Sequence, residues 1–143
     1  MMGGHVEKLF KKLNGTYYKS TRLSNGQSVV MFFSRREDEG KDVFDIGLVV
    51  GKNRKQCMSW FFGETTFLDG RVTGKQTNPK EIYNFAIDSL VRFQEYIVGI
   101  KGSAILVIGA SDGRRFKIYK KILTKEQFGF EEHYQTYTLI KKL

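Results

Sequence analysis

The sequence predicts an α+β fold: a single domain over residues 1–143, built on a mainly antiparallel sheet. An N-terminal helix, a long central helix and a short basic helix accompany the sheet. Three observations carry this expectation. Runs of strand-like residues joined by short turns fill residues 16–63. A long apolar stripe at helical spacing follows: Ile82, Ala86, Leu90, Phe93 and Ile97. The composition is globular, 41% hydrophobic and 14% aromatic over 143 residues, which is enough to build a core. Runs of strands followed by helices, rather than strict alternation, favour α+β over a doubly wound sheet.

In chain order, Val6, Leu9, Phe10 and Leu13 fall at helical spacing, and Asn14-Gly15 reads as a C-terminal stop. Residues 16–23 form a strand that ends at Ser24-Asn25-Gly26, a hairpin signal. Residues 27–34 continue as a strand rich in Val, Met and Phe. Residues 35–42 hold seven charges in eight positions and read as an exposed loop, because so many charges are costly to bury. Residues 43–50 form the next strand, and 51–55 a basic turn. Residues 56–63 alternate as another strand, with Met58, Trp60 and Phe62 opposite Cys57, Ser59 and Phe61.

Residues 64–77 are the longest irregular stretch. Asn78-Pro79-Lys80-Glu81 then starts the central helix: Asn caps, Pro suits the first position, and Glu completes a capping-box pattern. The helix runs to about Ile97 and breaks over 99–102. Residues 103–109 read as a buried strand. Residues 112–123 fit two periods. Phe116, Tyr119 and Leu123 suit a helix; Phe116, Ile118 and Ile122 suit a strand broken at Lys120. A cap at Ser111 or Asp112 favours the helix. Residues 132–140 alternate and close the sheet.

Charge supplies the functional signal. Twenty-four Lys and Arg against fifteen Asp and Glu leave a net charge of +9, which favours polyanionic partners, nucleic acid first. Cys57 is the only cysteine, so no intramolecular disulfide forms. With only His5 and His133 beside it, no metal-ligand cluster is legible either. No apolar run is long enough to span a bilayer, and a cytoplasmic location is expected. Cys57 reads as a small buried apolar group rather than a reactive thiol. His133 follows Glu131 and Glu132, but adjacent strand residues point apart and no nucleophile accompanies it, so it reads as a surface histidine.

The candidate binding residues are basic. Arg114, Arg115, Lys117, Lys120 and Lys121 crowd the segment after the strand at 103–109. Arg114, Lys117 and Lys121 share one helical face, which suits a row of phosphates. Lys52, Arg54 and Lys55 form a second group in the turn after the third strand. Arg35 and Arg36 have Glu37, Asp38 and Glu39 beside them and read as solvated. Tyr17, Tyr18, Phe32, Phe33, Trp60, Phe61 and Phe62 lie on neighbouring predicted strands. Exposed rings among cations would stack and hold single-stranded nucleic acid. The alternative is that the N-terminal helix covers the second face of the sheet.

Two resemblances follow. Gly109-Ala-Ser-Asp-Gly-Arg-Arg-Phe-Lys-Ile-Tyr-Lys-Lys-Ile-Leu-Thr124 resembles the hallmark of a family of small bacterial and phage proteins of unknown function: a glycine-and-hydroxyl turn, then Arg, then a Leu/Ile-Tyr-basic helix. It covers residues 28–140 and implies a small protein that could be phage-encoded and act in the host cytoplasm. The second resemblance is to the GNAT acetyltransferases, whose core runs three strands, cofactor loop, helix, strand, helix with a Tyr, strand. Arg71-Val-Thr-Gly74-Lys75-Gln76 is similar to their Arg/Gln-x-x-Gly-x-Gly/Ala loop, and the resemblance implies a pyrophosphate cradled there and Tyr119 near the leaving thiol. Gln76 departs from the small last residue, and Asn78-Pro79 postpones the helix.

The expected function is therefore a non-enzymatic nucleic-acid-binding protein with no cofactor, acting on RNA or single-stranded DNA through a basic face and strand aromatics. The alternatives are an acyl-CoA-dependent N-acetyltransferase or its decayed relative, and an interaction factor that docks an acidic host protein.

Overall fold

A computed structural model describes residues 10–61, 79–109, 123, 128–132 and 138–143. The protein is α+β. Seven strands form one sheet: β1 (Lys11–Leu13), β2 (Thr16–Arg22), β3 (Ser28–Asp38), β4 (Lys41–Gly51), β5 (Ile105–Gly109), β6 (Glu131–Glu132) and β7 (Thr138–Lys142). Their order across the sheet is β1-β2-β3-β4-β5-β7-β6. The sheet is mostly antiparallel; β4 and β5 run parallel. Two helices are described, α1 (Arg54–Phe61) and the long α2 (Pro79–Lys101). Among the described residues, no helix is long and apolar enough to cross a membrane. The chain divides into two compact units, Met1–Phe32 with Leu48–Tyr96, and Phe33–Gly47 with Ile97–Leu143.

In the first unit, β1 and β2 form a hairpin with Leu13 opposite Thr16. This corrects the expected N-terminal helix in its described part. Asn14 and Gly15 both take positive φ, 50° and 80°, the geometry of a tight hairpin turn rather than a helix stop. Val6 and Leu9 lie outside the described residues. Phe10 is buried, with its ring edge-on to Phe93 at 5.4 Å.

Successive residues of β2 serve opposite faces of the sheet. Tyr17 packs toward α2, 5.8 Å from Phe93 and 5.6 Å from Tyr96 between ring centroids. Tyr18 packs with Phe32 on the other face, in a cluster with Val30, Val49, Cys57 and Met58. Thus α1 covers one face of this part of the sheet and α2 the other. The turn at Ser24-Asn25-Gly26 forms as expected. Gly26 takes φ 90°, and Asn25 Oδ1 accepts from Gln27 N at 2.9 Å. Glu81, in the first turn of α2, accepts from Ser24 N at 3.0 Å and Ser24 Oγ at 2.6 Å. Asp88 accepts from Lys19 at 3.3 Å and from Arg92 at 3.0 Å.

The residues expected to form a strand over 56–63 are instead α1 as far as Phe61. The basic turn assigned to 51–55 is correspondingly shorter, since Arg54 and Lys55 are already helical. A short apolar run fits either period, and the cap decides between them. Asn53 Oδ1 accepts from Gln56 N at 2.8 Å, and Asn53 O accepts from Cys57 N at 3.2 Å.

α2 follows its sequence signals closely. Leu90 and Phe93 are fully buried, while Ile82 and Ala86 are half-buried. The helix passes through Gly99 and ends two residues later at Lys101, beyond the expected end near Ile97. Gly102, at φ 79°, donates its N–H to Val98 O at 2.9 Å and closes the helix.

In the second unit, the charged run 35–42 is not a loop. β3 and β4 continue through it to a two-residue turn at Glu39 and Gly40, with φ 51° and 77°. Its side chains stay solvated, and opposite charges brace the two strands. Arg35 Nε donates to Asp42 Oδ1 at 2.6 Å, and Arg36 Nε to Asp45 Oδ2 at 2.7 Å. Val43–Ile46 pair in parallel with Ile105–Ile108, and β5 pairs antiparallel with β7. Phe44, Leu106, Ile108 and Leu139 form buried rows across these strands. The closing strand expected over 132–140 is two strands. Glu132 pairs with Leu139, and β6 runs antiparallel to β7. Alternation cannot distinguish one strand from a hairpin, because both arms keep the period of two.

Candidate nucleic-acid interface

The β4–α1 corner begins at Gly51, where the backbone must pass close to the first turn of α1. A Cβ at Gly51 would lie 3.0 Å from Cys57 Sγ and 3.1 Å from Gln56 Oε1, so any larger residue requires these side chains to give by a few tenths of an ångström. Gln56 Oε1 accepts from Lys52 N at 2.8 Å, while Gln56 N donates to Asn53. This reciprocal pair is close to a capping box. Below it, Cys57 is fully buried and its Sγ donates to Ser28 O at 3.7 Å. Burial pushes the Cys57 thiol up to about 11, which keeps it protonated and inert near neutral pH.

On this frame Lys52, Arg54 and Lys55 are all exposed. Asn53 caps the helix, so Arg54 and Lys55 are its first two residues. The first turn contains no acid. Cations at a helix N-terminus oppose the macrodipole, at roughly 0.3–1 kcal/mol each when exposed. Among the described residues, none of the three side chains has an ion-pair partner. The corner therefore concentrates positive charge where the backbone is already positive.

Of the other described cations, Lys19, Arg35, Arg36, Arg92 and Lys101 are paired with carboxylates, whereas Lys11, Arg22, Lys41 and Lys142 are exposed with no ion-pair partner among the described residues. Arg35 and Arg36 are held by Asp42 and Asp45, and the hydrogen bond that Arg36 donates to Asp45 raises the guanidinium above its ordinary value. Lys101 reaches Asp42 at 3.3 Å. Partial desolvation pushes the Asp42 carboxyl up, but Arg35 and Lys101 together hold it below its ordinary value. Asp88 behaves alike: desolvation raises it, and Arg92 with Lys19 more than reverses the effect.

The aromatic platform expected on the strands is not present among the described rings. Tyr17, Phe32 and Phe33 are buried, and Tyr18 is half-buried against Phe32. Phe32 and Phe33 are neighbours on β3, so burial of both means that both sheet faces are covered there. Of the expected site residues, Lys52, Arg54 and Lys55 are brought together. Arg114, Arg115, Lys117, Lys120 and Lys121 lie outside the described residues, as do the 71–76 loop, Tyr119 and His133. Asn53 and Gln56, which position the corner, went unread in the sequence. Their signal was Asn-x-x-Gln, a helix-start pattern immediately preceding an apolar run.

Comparison with family models, with curated proteins and with solved structures found no match to this chain.

Proposed function

We propose that this chain is a non-enzymatic nucleic-acid-binding protein that holds RNA or single-stranded DNA by its phosphates. The observation that carries this reading is the trio Lys52, Arg54 and Lys55 at the start of α1, without an ion-pair partner among the described residues, in a chain of net charge +9. A phosphate there relieves the clash between cations and helix dipole and accepts from exposed donors. The basic segment with Arg114, Arg115, Lys117, Lys120 and Lys121 offers the same chemistry to further phosphates. Tyr17, Phe32 and Phe33 are buried and do not stack on bases, and contact through phosphates gives weak sequence preference. Fluorescence anisotropy with labelled RNA and DNA across a salt series tests this. Three phosphate contacts at the corner give about 2 units of slope in log K against log salt for a single strand. Absence of binding at low salt, or binding indifferent to salt, overturns it.

A second reading, acyl-CoA-dependent acyl transfer or its decayed form, is supported by the element order. β2, β3 and β4 precede the long helix α2, followed by β5 and β7, in the order the acetyltransferase resemblance implies, although β1, α1 and β6 are additional to it. Calorimetry with CoA separates the two. Micromolar binding lost on Arg71→Ala favours the transferase.

A further inference from the structure

We draw no further inference here: the strongest candidate, the apolar stripe of exposed Tyr83 and Val91 with half-buried Ile87 on one side of α2, is a helix face with no partner among the described residues, and nothing in the structure shows what covers it.

Discussion

Arg35 and Arg36 on the β3–β4 hairpin and Lys52, Arg54 and Lys55 at the β4–α1 corner are similar clusters in sequence but opposite ones in structure. In the hairpin every arginine meets a carboxylate on the neighbouring strand at 2.6–2.7 Å. At the corner the cations face solvent, at the helix end where the backbone dipole repels them. The hairpin charges brace two strands, whereas the corner charges have no ion-pair partner among the described residues. Charge counts along a chain therefore say little about binding until the counter-ions are located.

The sharpest way to break this comparison is to reverse each cluster. Lys52→Glu, Arg54→Glu and Lys55→Glu combined are expected to lower affinity for single-stranded nucleic acid by about tenfold or more at low salt, roughly 1.4 kcal/mol. The salt slope should fall by about 2 units. The melting temperature should hold or rise, because acids suit a helix N-terminus. Arg35→Glu with Arg36→Glu should do the reverse, lowering the melting temperature and leaving the slope nearly intact. Equal loss of affinity from both sets would defeat the distinction.

A second probe acts on the frame beneath the cations. Gly51→Val brings a branched side chain against Cys57 Sγ and Gln56 Oε1, and overpacking of this kind costs about 1–3 kcal/mol. Urea denaturation reads the loss. A wild-type midpoint would mean that the close approach at Gly51 is not a constraint. Asn53→Ala removes the cap alone and is expected to cost about 1 kcal/mol by the same measurement, with Asn53→Asp close to neutral or better.

The smallest effect is a pH signature, and it belongs to the hairpin. Asp42 titrates below its ordinary value in the folded protein because Arg35 and Lys101 outweigh its desolvation. A depressed carboxylate contributes stability that is complete above its unfolded value and is lost as pH falls through the folded one. Wild type should thus exceed Asp42→Asn in urea midpoint at neutral pH, and the two should converge below pH of about 4. Lys52→Ala, which leaves the Asp42 cluster intact, should show a constant offset over the same range. A gap for Asp42→Asn that persists into acid would show that its bond to Arg35 is not electrostatic in origin.

Much of the fold was legible in short stretches of sequence. Ser24-Asn25-Gly26 specifies its turn by itself, because Gly26 must take positive φ. The periodic face of α2 needed only local rules, and so did the apolar strands β2 to β4, whereas Glu81 binds Ser24, 57 residues away. Asn14-Gly15 was equally local but ambiguous, since the same pair ends a helix or turns a hairpin. Pairing of Lys11–Leu13 with β2 resolved it. The net charge of +9, and with it the expectation of a polyanionic partner, is likewise a property of the sequence.

Tertiary structure decided the rest, because the deciding partners lie far along the chain. Residues 56–61 fit both a strand and a helix, and their identity depends on a cap at Asn53 and on the packing of Cys57 against Val30, Phe32 and Val49. The charged run 35–42 became two strand ends because Asp42 and Asp45 fell across from Arg35 and Arg36. The charge of Lys19 is neutralised by an acid 69 residues away, Asp88. Backbone preferences are set by neighbours within a turn, whereas neutralisation of a charge and burial of a ring are set by whatever the fold brings alongside.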